Sequence, residues 1–398
     1  MSTLLALPDD IIVGHVLTRL PAKSLIRFKC VCKAWLYILS NPDPHFVTTH
    51  LTHTSRNPDY ECLIMSVNKF VRSVRSLSFP HRRHSRWVEI LSRSRFAYTS
   101  VHNAPEHSQM IGSINGLICL TYKRMFLFWN PALGLVKTIL PPQPYYGNKN
   151  FLMKLYGLGW DHAESEFKVV VCYRDQTLLH GVVYTSNSDS WIGLDIPDTF
   201  FIRCIMGNTA TIVQGCPYWT ATTGYDKFVL KFESASNHFK EFMLPSQITR
   251  THRYNVVNIK DSLATMAYLQ LPGAMVDVFH LDEEYGVWSK TYTLGPIHCC
   301  LATLSQCFKY GDEVVFNFAK LLYDPKTQGI KVIGDGHWDF VSGYSYTPSL
   351  VSLLGMKSLH TESHWTSLSA VENSVVTPAQ LSLRLVFGRL LLRCFGCD

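Results

Sequence analysis

At 398 residues the chain has room for one large domain and one small one. Twelve cysteines are scattered through apolar stretches such as LICL and KVVVCYR, and no Asn begins an Asn-x-Ser/Thr acceptor, so a secreted disulfide scaffold is excluded. The opening MSTLLALPDD lacks a basic segment and a long apolar run, no stretch approaches ~18 uncharged apolar residues, and the expected setting is cytoplasmic or nuclear. Aromatic residues make up 13% and charged residues only 17%, which suits a β-rich core, and the formal charge is +7.

The first elements lie between Leu7 and Trp35, in LPDDIIVGHVLTRLPAKSLIRFKCVCKAW. Pro8 fixes φ and lacks an N–H, which suits a first helical turn, and Asp9 and Asp10 put negative charge where the helix dipole favours it. Ile12, Val16 and Leu20 recur four residues apart and predict one apolar face, ended by Pro21. Beyond it Leu25, Phe28, Cys32, Trp35 and Leu39 predict a second face, widened by Val31 and Ile38. Two or three short helices follow, with more apolar surface than about 45 residues bury alone. Such a surface marks a partner site or a helical hairpin packed on the main domain.

Residues 72–96 are basic: Arg72, Arg75, Arg82, Arg83, Arg86, Arg93 and Arg95 stand against Glu89. The segment suits an acidic or phosphorylated partner, with Arg82, Arg83 and Arg86 the candidate contacts, or a solvated loop. No nucleic-acid-binding motif accompanies it.

From residue 126 onward one plan recurs: apolar strand, short polar turn, second strand. It appears in FLFWNPALGLVKTILPP (126–142), VVYTSNSDSWIGLDIP (182–197), VLKFESASNHFKEFMLP (229–245), VDVFHLDEEYGVWSKTYTLGP (276–296) and LLYDPKTQGIKVIG (321–334). Anchored on Trp129, Tyr184, Phe232, His280 and Tyr323, the steps are 55, 48, 48 and 43 residues. A hairpin repeat near this period predicts a kelch-like β-propeller, with a β-sandwich of regular hairpins as the alternative. Val229, Lys231 and Glu233 alternate with Leu230 and Phe232 as strand residues should.

Catalytic signatures are absent. There is no phosphate-binding glycine loop, dinucleotide fingerprint, H-E-x-x-H or nucleophile elbow. Cys394 and Cys397 form one C-x-x-C with no second pair nearby, Cys299-Cys300 read as buried strand residues, and Asp282, Glu283 and Glu284 read as a charged hairpin turn. No catalytic residue, metal or cofactor is expected. Residues 358–380 read as a linker, and LSLRLVFGRLLLRCFGCD (381–398) as a capping or membrane-surface helix too short and too charged to span a bilayer.

The N-terminal stretch resembles an F-box of the plant type through Leu7-Pro8, Asp10-Ile11-Ile12, Val16-Leu17, Arg19-Leu20-Pro21, Lys23-Ser24-Leu25, Arg27 to Lys33 and Trp35. The middle resembles the F-box-associated interaction domain, with its landmarks in order: GSINGLICL (112–120), Trp129-Asn130-Pro131, YGLGWDHAESEFKVV (156–170), Ser190-Trp191, Gly215 to Trp219, Tyr285 to Trp288, Tyr323-Asp324 and YTPSLVSL (346–353). Gln214 stands where that family usually has Asn, and one extra residue separates Pro8 from Pro21, near Gly14-His15. An extra residue turns a helical face by about 100°.

The resemblance implies a small all-α F-box at 1–50, an all-β propeller-type domain at 51–356 and a tail at 357–398. It implies a non-catalytic, substrate-recognition subunit of a Skp–cullin–F-box ubiquitin ligase. Leu7, Pro8, Ile11, Ile12, Leu20, Pro21, Leu25, Val31, Cys32 and Trp35 would face a Skp-type adaptor or fill the F-box core, and the propeller would hold an unidentified target. The alternatives are a tether acting outside ubiquitination and an enzyme or small-molecule binder using the propeller channel.

Overall fold

The computed structural model describes residues 11–57 and, with gaps in the connections, 60–358; segments 1–10, 79–108, 143–152, 197–203, 298–306, 333–339 and 359–398 lie outside it, as do shorter loop pieces. The helical part begins with a π-helical turn, Ile12–Val16, and a 3-10 turn, Leu17–Arg19. Then come α1 (Ala22–Phe28), α2 (Lys33–Ser40) and α3 (Pro44–Arg56). Pro21 stands just before α1 with an extended backbone and supplies no helix-stopping clash. Asp43 caps α3 through its Oδ1, which accepts from the His45 N–H, and Pro44 occupies the first turn. Phe46, His50 and Thr54 recur four apart and bury one face of α3. This helix therefore runs past the boundary expected at residue 50.

Six antiparallel sheets follow among the described residues. The first joins β1 (Cys62–Val67) and β2 (Val74–Ser78) to β24 (Phe340–Tyr346). The second holds β3 (Gln109–Ile114), β4 (Leu117–Tyr122), β5 (Met125–Asn130) and β6 (Leu135–Ile139), with β25 (Lys357–Ser358) on its outer edge. The third holds β7 (Met153–Asp161), β8 (Glu166–Arg174), β9 (Leu179–Thr185) and β10 (Ser190–Leu194). In the fourth, β11 (Cys204–Ile205) and β12 (Thr211–Val213) both pair with β13 (Cys216–Thr223), followed by β14 (Asp226–Glu233) and β15 (His238–Met243). The fifth is β16 (Arg253–Ile259), β17 (Ser262–Tyr268), β18 (Ala274–Asp282) and β19 (Val287–Ile297). The sixth is β20 (Cys307–Tyr310), β21 (Glu313–Phe316), β22 (Leu321–Asp324) and β23 (Gly329–Val332).

The innermost strands close a ring. β24 packs on β3, β3 on β7, β7 on β13, β12 and β13 on β16, β16 on β20, and β20 back on β24. Pairing of β24 with β1 joins the end of the domain to its start, so the ring leaves no open edge there. The architecture is a β-propeller, with six blades among the described residues, and the sandwich alternative falls.

Hairpin register explains the sequence repeat. Trp129 pairs with Val136, Tyr184 with Trp191, Phe232 with Phe239, and Tyr323 with Ile330, each seven residues on. Each anchor is the second-to-last residue of the third strand of its blade. In the fifth blade that position is Leu281, paired with Trp288, and not His280, whose partner is Ser289. Trp129, Tyr184, Phe232 and Leu281 are buried, whereas His280 is half-buried. Alternation also misleads on β14, where Val229, Leu230, Lys231 and Phe232 are all buried. A blade packs both faces against neighbours, so a strand loses its polar side.

Close approach between blades sets the glycine positions. A Cβ on Gly157 would lie 2.5 Å from the Trp219 ring, and Trp219 Nε1 donates to the Tyr156 carbonyl at 3.0 Å. Asn115-Gly116 and Gln214-Gly215 make the same turn, with φ values of 52° and 80°, and 48° and 78°. Gln214 donates across the blade junction to the Asp261 carbonyl at 2.9 Å.

Candidate functional site: the helical module and its socket

Successive antiparallel strands reverse direction, so in the blades made from one continuous stretch of chain the first-to-second and third-to-fourth turns emerge on one face. The helical module sits on that face. Leu17, Ala22, Leu25, Leu39 and Phe46 form one apolar cluster with Ala132 of the β5–β6 turn and with Leu350. Ile12, Val13, Leu20, Phe28, Trp35, Val47 and Leu133 pack around it. Residues 347–356 form a strap beneath. Asn130 Nδ2 donates to the carbonyls of Ser349 at 3.1 Å and Val351 at 2.7 Å, Ser349 Oγ donates to the Asn115 carbonyl at 2.7 Å, and Lys137 Nζ donates to the Leu354 carbonyl at 2.7 Å. Asn130 Oδ1 accepts from the Leu133 N–H and fixes the turn that carries the socket.

The expected single face of Ile12, Val16 and Leu20 is not formed. The Leu17 N–H reaches the Ile12 carbonyl five residues back, so Gly14 and His15 sit in one wide turn that holds a residue more than an α-turn. Leu17 and Thr18 turn inward and Val16 is exposed. The second expected face is split at Lys29–Cys32. Cys32 caps α2, its sulfur accepting from the Trp35 N–H at 3.4 Å, and it is exposed. Phe28 and Trp35 pack with ring centroids 5.3 Å apart.

The candidate adaptor residues therefore divide. Leu25 is buried in the core; Ile12, Leu20, Pro21 and Trp35 are half-buried. Ile11, Val31 and Cys32 are exposed, Val31 at 61%. Leu36, at 48%, and Tyr37, at 73%, are exposed apolar residues too and carry no sequence signal of their own. Leu7, Pro8, Arg82, Arg83, Arg86 and the 359–398 tail lie outside the described residues, as do Cys299, Cys300, Cys394 and Cys397.

His50 ties the module together. It is fully buried on α3, and its Nε2 lies 2.9 Å from the Leu20 carbonyl, where the ring must donate. Burial holds its pKa below the usual histidine value, against the raising effect of that bond; His53 adds to the lowering.

Lysines stitch neighbouring blades on the same face. Lys137 of the second blade meets Asp189 of the third at 2.8 Å. Lys168 of the third donates to the Ser234 carbonyl of the fourth at 2.5 Å and meets its own blade's Asp161 at 3.0 Å. Lys231 of the fourth meets Glu283 of the fifth, and its own Glu233, both at 2.7 Å. Tyr218 donates to Glu283 as well. Glu283, expected to be only a charged turn residue, is thus a cross-blade acceptor. Among the described residues no group of His, Cys, Asp and Glu is placed to hold a metal ion, and no helix is long and apolar enough to cross a membrane.

A helical module seated on a kelch-like propeller defines the class of protein. The family model of the F-box associated beta propeller domain matches residues 62–353, and that of the F-box domain matches 4–47. The chain belongs to the F-box associated β-propeller family and carries its F-box first. It is 24% identical over 297 residues to the F-box/kelch-repeat protein At3g23880 of Arabidopsis thaliana, covering 70% of this chain and 77% of that one. It is 25% identical to the putative F-box protein At1g47790 of the same plant, covering 73% of each. Among solved structures, TolB from Acinetobacter baumannii aligns with a TM-score of 0.41 and 6% identity over 76% of this chain and 73% of that one. The Dos1 propeller aligns with a TM-score of 0.35 and 9% identity, over 61% and 60%.

Proposed function

We propose that this protein is the substrate-recognition subunit of a Skp–cullin–F-box ubiquitin ligase and does no chemistry itself. The observation that carries this is the set of exposed apolar side chains, Ile11, Val16, Val31, Leu36 and Tyr37, on a module whose core is already packed on the propeller. A Skp-type adaptor covers these side chains, with Leu7 and Pro8 as further candidate contacts, and links the chain to a cullin. Leu25 holds the F-box core, and Ile12, Leu20, Pro21 and Trp35 form the floor on which Val31 and Cys32 stand. The propeller holds a target protein, and ubiquitin transfer gains from raised local concentration. The setting is cytoplasmic or nuclear. The domain division proposed is an F-box module ending with α3, a propeller, and a tail.

Adaptor pulldown tests the reading. Val31→Asp with Tyr37→Ala should abolish capture, because both side chains are exposed and the core is untouched. Trp35→Ala should weaken it, since losing a well-packed aromatic costs ~3–5 kcal/mol. Undiminished capture by the double variant, with circular dichroism unchanged, refutes the assignment. Transfer of ubiquitin to a captured target in a reconstituted reaction separates a ligase subunit from a tether.

A further inference from the structure

The propeller has two unlike faces. On the F-box face, turn after turn is committed to a neighbour: Lys137 to Asp189, Lys168 to Ser234, Gln214 to Asp261 and Lys231 to Glu283. The opposite face carries the second-to-third turns and the connections between blades. There the junction of the fourth and fifth blades holds a rigid knuckle, residues 245–252. Lys227 Nζ sits beneath it and donates to the carbonyls of Thr249, Arg250 and His252 at 3.2, 3.2 and 2.7 Å. Ile248 is buried, the Ile248 N–H donates to the Pro245 carbonyl, and Thr249 Oγ1 lies 2.8 Å from His252 Nδ1.

Beside the knuckle the sheet rim is apolar. Arg253 pairs with Tyr268 and Tyr268 with Val276, so Leu269 and Met275 form the next rung towards this face. Leu269, Leu271 and Met275 are exposed by 38%, 60% and 49%. Arg250 and Arg253 are exposed at the same rim. Among the described residues the carboxylates of this rim are Asp226 and Asp277, and Asp277 meets Lys290 at 2.8 Å. Against them stand Lys227, Arg250, Arg253 and Lys290, so the net charge of the rim is positive.

We propose that this rim binds a short target segment with carboxylates flanking one apolar side chain. The apolar side chain packs between Leu269, Leu271 and Met275, and the carboxylates meet Arg250 and Arg253. The proposal rests on the reading that the propeller holds a target, and it adds where and of what chemistry. Charge complementarity selects an acidic occupant, and the rim's place opposite the F-box leaves that occupant clear of the adaptor.

The test is a random heptapeptide phage library selected on the full-length protein. Recovered sequences should carry Asp or Glu around Leu, Ile, Met or Phe. The leading synthetic peptide should lose about tenfold or more in affinity with Arg250→Glu/Arg253→Glu, and likewise with Leu271→Asp, and keep most of it with Arg250→Lys/Arg253→Lys. Adaptor pulldown should be unchanged in all three. No enrichment, enrichment without acidic residues, or indifference to these substitutions overturns the proposal. Arginine-dependent sedimentation with phosphatidylserine/phosphatidylcholine vesicles, in place of peptide binding, overturns it in favour of a membrane surface. Loss of adaptor capture by the unaltered protein is a separate failure, and counts against the ligase assignment alone.

Discussion

Lys137 on β6 extends across a blade junction to Asp189 in the β9–β10 turn, with Nζ 2.8 Å from Oδ1. The same carboxylate oxygen accepts the Tyr184 hydroxyl at 2.6 Å. The arrangement recurs two junctions on, where Glu283 meets both Lys231 and Tyr218. In each case a lysine of one blade closes on the third-to-fourth turn of the next. Hydrogen bonds from Lys137 and Tyr184 hold the Asp189 carboxyl below its ordinary range, and burial with the Asp189 bond pushes the Tyr184 hydroxyl up. The lysines and tyrosines are buried, and without these carboxylates at the rim the ring would strand them without partners.

Replacing Lys231 with Met should destabilise the propeller. Breaking a buried pair costs about 3–5 kcal/mol, but Glu233 and Glu283 are 38% and 33% exposed, so solvent reduces this to roughly 1–3 kcal/mol. Glu283→Gln keeps a hydrogen-bond acceptor and should cost less. Urea unfolding followed by tryptophan fluorescence gives both values. A Lys231→Met protein as stable as its parent would show the junction to be held by packing alone.

The fold was legible where local chemistry and repeat coincide. Asn115-Gly116, the Trp129 and Tyr184 anchors and the turn after Phe232 are short-range signals, and each stands where the spacing put it. The fifth anchor is Leu281 and not His280, because Leu281 is the residue whose partner, Trp288, stands seven positions on as in the other blades, and nothing local to His280 marks it as one rung too early. Lys231 alternates with Leu230 and Phe232 in the sequence, and alternation reports two faces but not that both are covered. Leu36 and Tyr37 were missed because helical periodicity finds the buried side of a helix and is silent about its exposed apolar side. Glu283 and the Ala132–Leu133 socket depend on contacts between distant segments, which no local pattern encodes.

Leu133→Asp should loosen the F-box from its seat without melting the ring. Leu133 packs against the cluster that joins Leu25 and Leu39 to Leu350, and a carboxylate there loses partners and gains none. Hydrogen exchange should rise by an order of magnitude or more in α1 and α2, with the protection of β5 and β8 retained. Equal loosening of both parts would mean that the ring depends on the module. No change would remove the socket from the account.

Acid should open the helical module before the propeller. His50 has its folded pKa lowered, so its contribution is intact above the unfolded value of about 6.5 and is lost as pH falls from there. Asp189 and Asp277 are also lowered, by the Lys137 bond for Asp189, and for Asp277 by the Lys290 and Thr293 bonds outweighing burial; their contributions disappear only below the usual carboxylate range. Helical circular dichroism should begin to weaken near pH 6, and the sheet signal well below pH 4. His50→Gln can still donate to the Leu20 carbonyl and should remove the first step. A step unaltered in that variant would assign it to another group.

Deleting Gly14 should be tolerated, whereas adding a residue beside it should not. The π-helical turn takes up one residue more than an α-turn, so the flanks Ile11 and Leu17 already hold the faces that a shorter chain would give them. Removal of Gly14 converts the wide turn to an ordinary one and takes out a residue that costs ~1 kcal/mol in a helix. The melting temperature should stay level or rise, and adaptor capture should persist. Insertion of Ala after Gly14 has no second wide turn to enter and rotates Ile11 by about 100° relative to Leu17. Capture by that protein should fall sharply with the propeller intact. If the deletion abolishes capture and the insertion does not, the turn is shaped by its partner surface and not by the extra residue.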